Sequence, residues 1–411
     1  MVGTARGALD AVAADLRAAW DAGTPIAIQG GGTKADLGNP GRPDARVVAT
    51  RGLDRLVAYE PSDLTVTVEA GLPWATLQET LAARGQWLPL DPPALPGATV
   101  GGTVAANVSG PKRLQYGTLR DLVIGCRFLL ADGSAGRSGG RVVKNVTGYD
   151  IHKLLIGSLG TLALITEVSF KILPRPAASG WLAAAFATPE GALAAARDLA
   201  RSDLSPAALE LVDPDALAHL PAGLPAATTV LLVAADGLAV AVRRQLAGLA
   251  AICRTQGATT VTPVEDAAAT AALWQGLRDL SLADPGWNLR LRWGVLPADL
   301  PAAWAAARAL AAHLAVAATL HARAGTGLVY LYAALPAAQA AAAATAIGPA
   351  RAAAEQRGGS LVVETAPPAV KAGVDVWGQG AGAASLPAMQ ALKQSLDPRQ
   401  LLNPGRFVGG L

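Results

Sequence analysis

The sequence has few of the residues that a disulfide-bonded protein, an iron–sulfur protein or a nucleic-acid-binding protein needs. Two of its 411 residues are cysteine, too few for a disulfide framework and for the roughly four thiolates of an iron–sulfur cluster. This cysteine content favours a reducing compartment, and we expect a cytoplasmic protein. The 34 Lys and Arg residues exceed the 31 Asp and Glu residues by three. Because no run concentrates the basic residues, nucleic-acid binding is not expected.

Long uninterrupted apolar stretches are also missing. Charged residues at Arg6, Asp10, Asp15 and Arg17 interrupt the first twenty positions, whereas a secretory signal needs roughly 7 to 15 uninterrupted apolar residues. The longest uncharged stretch, residues 324–350, is mostly Ala and is interrupted by Gly and Pro, unlike a transmembrane helix. We expect neither a signal peptide nor a transmembrane segment, and we interpret this stretch as a strand, a turn and an Ala-rich helix.

The chain does have enough apolar sequence for two or three domains. Apolar residues make up 52% and charged residues 16%, which is typical of a large buried core and not of disorder. The Pro-Arg-Pro at 174–176 precedes a strongly Ala-rich region, so we place a domain border there. The predicted domains are 1–175, 176–380 and a C-terminal segment, 381–411. In the middle domain, strand-like runs alternate with Ala-rich helices in an order that two split β-α-β units would give.

Three glycines in a row follow an apolar strand at residues 25–29. The loop consists of Gly30, Gly31, Gly32, Thr33 and Lys34. Glycine has no Cβ penalty at positive φ, so such a loop can direct successive N–H groups at one anion, particularly phosphate. A lone Gly-Gly-Gly is more often an ordinary turn, and this loop lacks the spacing of a Walker A motif.

A second block of small residues extends over residues 96–107. With so few side chains to pack, the backbone is expected to approach another group closely. A flexible linker is the alternative, but Val100, Val104 and Val108 recur at every fourth residue, which a Gly/Ser linker does not show.

A third block combines polar and glycyl residues between apolar segments. Lys144, Asn145, Tyr149 and Asp150 precede a second glycine-rich turn at 157–161. Burial of these polar groups without partners would be costly. They therefore either satisfy one another or face a ligand.

In order and spacing, these motifs resemble the flavin domain of the vanillyl-alcohol oxidase (PCMH-type) family. The segments that carry the resemblance are 60–71, 96–107, 144–150 and 157–161. Within that family the chain is most similar to the FAD-binding E subunits of bacterial glycolate oxidase (glycolate dehydrogenase), over residues 20–175 and 387–406 and only loosely in the middle. The resemblance implies an α+β fold. A two-subdomain PCMH-type FAD-binding domain would be joined to a ferredoxin-like cap domain, with the C-terminal segment returning to the FAD domain.

The resemblance also implies one FAD. Covalent attachment in this family commonly uses a His in the first glycine loop or a Cys elsewhere. This loop has neither, and Cys126 lies in a Val/Ile/Leu strand as a core thiol would, so noncovalent FAD is expected. The implied cofactor-binding residues are Gly30, Gly31, Gly32, Thr33, Lys34, Pro96, Gly97, Ala98, Thr99, Gly101, Gly102, Thr103, Asn107, Gly117, Asn145, Gly148, Tyr149, Gly157, Ser158, Gly160, Thr161, Ile165 and Asn403.

The catalytic part of the resemblance is weaker. Oxidation of a 2-hydroxy acid requires a base for the hydroxyl proton, a cation for the carboxylate and a hydride acceptor. Catalytic relatives carry a His-rich metal motif, which here is reduced to His321 and Arg323, with Val329 or Tyr330 in place of its second His. One imidazole does not hold a divalent metal. We therefore predict no metal, and we name His321 and Arg323 as the candidate catalytic residues.

These observations predict an FAD-binding subunit of a multisubunit glycolate dehydrogenase that oxidises glycolate to glyoxylate. Its partners would be a catalytic flavin subunit and an iron–sulfur subunit, which could hold it at the inner face of the membrane. One alternative is a self-sufficient FAD-dependent dehydrogenase for a D-2-hydroxy acid of the D-lactate type. Another is a structural subunit that only holds FAD. The missing metal ligands favour the subunit over the first alternative, and the intact glycine loops favour it over the second.

Overall fold

The computed structural model describes residues 2–141, 148–378 and 384–411. The helices are α1 Val2–Ala22, α2 Trp74–Ala82, α3 Val100–Ala106, α4 Arg113–Tyr116, α5 Leu119–Leu122, α6 His152–Leu155, α7 Pro189–Arg201, α8 Pro214–Leu217, α9 Ala239–Thr255, α10 Ala267–Asp279, α11 Leu300–His313, α12 Ala340–Glu355, α13 Pro368–Gly373 and α14 Leu386–Leu396. The strands are β1 Ile26–Gln29, β2 Arg46–Ala49, β3 Leu56–Glu60, β4 Thr65–Glu69, β5 Gln86–Trp87, β6 Val123–Leu129, β7 Ala135–Gly139, β8 Leu164–Lys171, β9 Leu173–Pro174, β10 Ala178–Phe186, β11 Ala208–Val212, β12 Thr229–Gly237, β13 Thr260–Val264, β14 Leu289–Gly294, β15 Ala318–Arg323, β16 Leu328–Ala333 and β17 Ser360–Thr365. None of the helices in these ranges combines the length and apolar character needed to cross a bilayer.

As described, the N-terminal part of the chain contains three sheets, one of which is the short antiparallel pair β5-β9. β1 and β2 form a parallel pair, and α1 packs against it because Val12 and Leu16 recur on one helical face and are buried with Ile26 and Val48. A second sheet has the strand order β3-β4-β8-β6-β7. Its core is apolar, with Val66, Val68 and Phe170 almost fully buried. The glycine loop at 30–34 lies between β1 and β2 in the chain, and the glycine-rich segments 96–107 and 157–161 precede β6 and β8.

The C-terminal segment returns to the N-terminal part of the chain. Ile26 donates its N–H to the Leu401 carbonyl (2.7 Å), and Asn403 donates its N–H to the Ile26 carbonyl (2.8 Å). Leu402 forms a parallel bridge with Ile26. The end of the chain thus extends the β1-β2 pair beside the first glycine loop, as the resemblance implied.

The middle of the chain forms one eight-stranded sheet with the order β13-β10-β12-β11-β15-β16-β14-β17. β10 to β13 with α7 and α9 make one split β-α-β unit, and β14 to β17 with α11 and α12 make a second. The expected pair of split units is therefore confirmed. The strand-like runs in the sequence did not indicate β11, β13 or β15, and β15 is the strand that carries His321.

One face of the eight-stranded sheet is apolar. The opposite face is polar at β14 to β16 but apolar at β10 to β12, where it packs against α10. Leu289, Leu291 and Trp293 are buried against α11 and α12. The alternate residues of the same strand, Arg290 and Arg292, face the other way, because successive side chains of a strand point to opposite sides. The polar face is the one that meets the FAD-binding part of the chain.

Contacts between the two parts fix the gap between them. The Tyr116 hydroxyl donates to Asp236 Oδ2 (2.9 Å), and the Ala94 N–H donates to Asp279 Oδ1 (2.8 Å). The ammonium of Lys112 lies 3.3 Å from the centroid of a Trp274 ring. These contacts hold the polar face of the eight-stranded sheet, here called the cap sheet, over the glycine-rich segments.

Candidate functional site

A cavity of about 230 Å³ lies between the first glycine loop and α3. The loop from Gly30 to Lys34 forms one wall, and Thr99, Gly102 and Thr103 form part of the opposite wall. Thr99 caps α3, since its Oγ1 accepts a hydrogen bond from the Gly102 N–H (3.3 Å).

The glycines of this cavity are required by close packing of two backbone segments. A Cβ on Gly31 would lie 1.9 Å from the Gly97 carbonyl oxygen, and a Cβ on Gly30 would lie 2.4 Å from Thr99 Oγ1. A Cβ on Gly102 would meet only Thr99 Oγ1, at 3.0 Å. At Gly30 and Gly31 the two walls are therefore in direct contact, whereas the missing side chain of Gly102 leaves space for a ligand.

A smaller cavity of about 60 Å³ adjoins this one and is lined by Ile28, Gly160, Ile165 and Asn403, among others. Asn403 holds its walls together: its Oδ1 accepts from the Ile28 N–H (2.8 Å) and its Nδ2 donates to the Leu159 carbonyl (2.5 Å). Its positive φ of 41° is one that Asn tolerates better than most residues.

A third cavity of about 380 Å³, here called the interdomain cavity, lies between the FAD-binding part and the cap sheet. Thr33, Lys34 and Ala106 line both this cavity and the one at the glycine loop, so the two are continuous. Its floor is the polar face of the cap sheet. The floor residues include Arg290, Arg292, Arg323, Tyr330, Tyr332 and Glu364.

The interdomain cavity carries an excess of positive charge. Arg292 is neutralised by Glu364, with Nε to Oε1 at 2.6 Å. Four other cations line the cavity, and within the ranges that the structure describes none of them has a carboxylate within 4.0 Å. They are Lys34, Arg113, Arg290 and Arg323. Such a cavity attracts anions.

The pKa shifts around the cavity reflect this positive field. Burial lowers the pKa of Lys34, and the neighbouring Arg290 and Arg323 lower it further. Burial alone would raise the pKa of Glu364, but Arg292, Arg290 and Lys34 outweigh burial and hold that pKa below its usual range. A bound anion would relieve the mutual repulsion of these cations.

Arg323 reaches into the cavity, whereas His321 lies behind it. Arg323 donates from Nη1 to the Ser109 carbonyl (2.7 Å). His321 is 1% exposed, and its Nε2 lies 2.5 Å from Glu210 Oε2. The ring of Tyr330 stacks on the imidazole at 5.7 Å, and His321 is not among the residues that line the cavity as described.

The structure brings most of the sequence-predicted residues to these three cavities. Those that line them are Gly30, Gly31, Gly32, Thr33, Lys34, Ala98, Thr99, Gly101, Gly102, Thr103, Asn107, Gly157, Gly160, Ile165, Arg323 and Asn403. Those that line none of them are Pro96, Gly97, Gly117, Gly148, Tyr149, Ser158, Thr161 and His321. Asn145, with Lys144, lies outside the described residues.

The residues away from the cavities have other contacts. Ser158 and Thr161 use their hydroxyls within their own turn, donating to the carbonyls of Leu155 (2.9 Å) and Ser158 (2.8 Å) respectively. Tyr149 is 91% exposed. Their role in FAD binding stays a prediction.

The sequence analysis missed Arg113, Arg290, Arg292, Tyr330, Tyr332 and Glu364. A signal for two of them was present in the predicted strand around 289–295, where Arg alternates with Leu and Trp. Charged residues at every second position of an apolar strand indicate a polar face that has a partner or a ligand.

Comparisons with known proteins agree with this architecture. A family model described as an FAD binding domain matches residues 7–138, and a model for the C-terminal domain of FAD linked oxidases matches residues 175–407. The chain therefore belongs to the FAD-linked oxidases, and its cofactor is FAD. Its fold is that of p-cresol methylhydroxylase with substrate bound, a solved structure with a TM-score of 0.75 and 14% identity over 97% of this chain and 87% of that chain.

Two curated relatives are subunits of glycolate oxidases. The chain is 43% identical to the glycolate oxidase subunit GlcE of Escherichia coli over 157 residues, 38% of this chain and 44% of that protein. It is 31% identical to the glycolate oxidase subunit GlcD of Bacillus subtilis over 259 residues, 62% of this chain and 55% of that protein. The matches thus span about half the length of these relatives.

The cavities fit an FAD molecule. The adjoining cavities extend from the small one at Ile165, past the backbone of Gly30 to Gly32, to the cationic floor. A long dinucleotide with a central pyrophosphate requires backbone donors in its middle. None of the residues lining the cavities, as the structure describes them, is a His or Cys.

Proposed function

We propose that this chain is the FAD-binding subunit of a multisubunit oxidoreductase that oxidises glycolate or a related short 2-hydroxy acid. The expected partners are a second flavin subunit and an iron–sulfur subunit, to which electrons pass. The observation that carries the proposal is the cationic cavity that continues from the FAD site, because a 2-hydroxy acid is an anion that must lie beside the flavin.

The glycine loop and α3 would hold the cofactor. Gly30 to Thr33 and Gly101 to Thr103 are proposed to bind the pyrophosphate. Gly157, Gly160 and Ile165 would line the adenine–ribityl side, and Asn403 would brace the wall opposite α3. When bound, FAD supplies a two-electron acceptor for the carbon that bears the substrate hydroxyl.

Arg323 is proposed to bind the substrate carboxylate. Its guanidinium is anchored by the Ser109 carbonyl, and its Nε is buried without an acceptor among the described residues. A planar guanidinium binds a carboxylate with two parallel hydrogen bonds. We propose that His321, which pairs with Glu210 behind Tyr330, positions this floor and does not itself reach the substrate.

Two features of the chain support a subunit over a complete enzyme. Among the described residues, no group of three or more His, Cys, Asp or Glu side chains is arranged to hold a metal ion. Both cysteines are free and buried, and two thiols do not supply the ligands of a cluster. We propose that a partner subunit carries electrons onward by such a cluster.

The test compares the FAD-loaded chain alone with the chain in its assembled complex. We expect glycolate to perturb the flavin spectrum of the chain alone under anaerobic conditions, and steady dye reduction only in the complex. Arg323→Gln in the complex should raise the KM for glycolate about 10-fold or more, the loss expected for a charge-assisted hydrogen bond. The control Arg42→Gln changes an exposed arginine and should leave KM unchanged. An active complex whose KM for glycolate is unchanged by Arg323→Gln would contradict the proposed substrate site.

A self-sufficient 2-hydroxy acid dehydrogenase is the second candidate. The interdomain cavity favours this candidate, because this one chain supplies the cations that line the cavity. Rapid glycolate-dependent dye reduction by the chain alone, lost on Arg323→Gln, would establish this candidate in place of the subunit.

A further inference from the structure

Two arginines on the floor of the interdomain cavity have buried N–H groups without an acceptor. The Nε atoms of Arg290 and Arg323 are both buried, and neither has a hydrogen-bond partner among the described residues. Each guanidinium is nevertheless held in place by a backbone carbonyl. Arg290 Nη2 donates to Ser281 (2.6 Å) and Arg323 Nη1 donates to Ser109 (2.7 Å). Buried donors of this kind are costly unless a ligand satisfies them.

The two guanidinium groups lie over neighbouring tyrosine rings. Arg323 Cζ is 5.1 Å from the centroid of Tyr330, and Arg290 Cζ is 5.6 Å from that of Tyr332. The two rings are parallel within 3°, with centroids 5.9 Å apart. The arginines come from β15 and β14, on opposite sides of the strand that carries both tyrosines. The floor thus presents two separate cations to one cavity.

FAD does not account for Arg290, the second of these two cations. Lys34 lines both the glycine-loop cavity and the interdomain cavity, so it is available to FAD. Arg290 and Arg323 line only the interdomain cavity. Arg292, next to them on the floor, is already neutralised by Glu364. One carboxylate at Arg323 would leave Arg290 without a counterion.

We infer that the preferred substrate is a short 2-hydroxydicarboxylic acid, whose 2-hydroxy carboxylate binds Arg323 and whose second carboxylate binds Arg290. The inference rests on the proposed function and names the substrate class of the same site. Arg290 is then a specificity-determining residue. Glycolate, the smallest 2-hydroxy acid, would occupy only the Arg323 half of the site.

Matched pairs of acids test this inference by binding and not by turnover. In 2-hydroxybutyrate and 2-hydroxysuccinate, a methyl group and a carboxylate occupy the same position of a four-carbon chain. 2-Hydroxyvalerate and 2-hydroxyglutarate form the equivalent five-carbon pair. Dissociation constants are measured with the FAD-loaded complex, anaerobically, from the perturbation of the flavin spectrum. We expect the diacid of at least one pair to bind about 10- to 100-fold more tightly than its monoacid, as for one added charge-assisted hydrogen-bonded pair.

Variants then assign the preference to Arg290. Arg290→Gln should reduce the affinity for the diacid to that for the matched monoacid, while the monoacid affinity changes less than about twofold. Arg290→Lys, which keeps the charge, should retain part of the preference. The control Arg42→Gln changes an exposed arginine that lines none of the three cavities and should retain the full preference.

The outcomes separate this inference from the proposed function. Monoacid binding with no tighter binding of either diacid in the wild-type protein overturns the inference and leaves the proposed function intact, whether or not any variant folds. A diacid preference that survives Arg290→Gln overturns the assignment to Arg290. A failure of every acid to bind the FAD-loaded complex overturns both.

Discussion

A buried ion pair fastens the C-terminal segment to the FAD-binding part of the chain. Lys393 Nζ donates to Asp397 Oδ2 (2.7 Å), to the Thr161 carbonyl (2.7 Å) and to the Leu402 carbonyl (3.0 Å). The two side chains are 2% and 0% exposed. All three ammonium protons therefore have acceptors, as a buried charge requires.

Replacement of Lys393 by Met removes the positive charge and leaves Asp397 buried. Loss of one partner of a buried pair costs roughly 3 to 5 kcal/mol. Asp397 keeps hydrogen bonds from the N–H groups of Leu401 (3.1 Å) and Leu402 (2.8 Å), so we expect the lower end of that range, about 3 kcal/mol.

The loss should also weaken FAD binding, because the same segment braces the first glycine loop. Asn403 bonds Ile28, the residue two positions before that loop, and Arg406 Nη2 donates to the carbonyls of Ala35 (2.8 Å) and Leu37 (2.6 Å), just beyond it. In a urea titration followed by flavin fluorescence, Lys393→Met should release FAD at a lower urea concentration than the wild-type protein.

Two further variants make the assay specific. Arg42→Met breaks a pair whose side chains are both 55% exposed and should not shift the transition measurably, since exposed pairs contribute little. Lys393→Met/Asp397→Asn removes both charges and should recover most of the loss. If Lys393→Met behaves like Arg42→Met, the reasoning about the buried pair is refuted.

Three other predictions follow from the same structure. Gly102→Val should weaken FAD binding, measured by equilibrium dialysis, about 5- to 150-fold, which is equivalent to an overpacking cost of about 1 to 3 kcal/mol. The control Gly7→Val, at a position where a Cβ meets nothing within 4 Å, should leave FAD binding unchanged. Acid precipitation should release all the flavin into the supernatant, and yellow colour in the pellet would disprove noncovalent binding. Burial raises the pKa of Asp91 to about 6, above its value of roughly 3.9 in an unfolded chain, so its charged form disfavours folding at neutral pH. Asp91→Asn keeps an acceptor for the Lys112 N–H (3.2 Å) and should raise the free energy of unfolding above pH 6 by up to ~3 kcal/mol, which is measured as a higher urea midpoint. The difference should vanish as the pH falls towards ~4, and a gain that persists at the lower pH would contradict this assignment.

Local patterns were enough to predict much of the fold. The strand-like apolar runs that became β14 and β16 and the glycine segments around Gly30 and Gly101 depend on neighbours within a few residues, so the sequence alone indicates them. The order of the glycine segments indicated the FAD domain. The strands β11 and β15 were missed because Glu210, His321 and Arg323 interrupt their apolar runs. A run interrupted in this way resembles a loop in sequence until its partner strand is known.

The sequence by itself determined the cofactor class and the position of the backbone that is proposed to bind it, since glycine at positions such as Gly31 is dictated by contacts that any side chain would break. Only the tertiary structure decided what faces the cofactor. Pairing of β11 with β15 sets Glu210 opposite Arg323 in the sheet, and docking of the cap brings Arg290 to the same cavity as Lys34. These groups are separated by more than a hundred residues, and their charges interact only because sheet pairing and domain contact exclude water and bring them together.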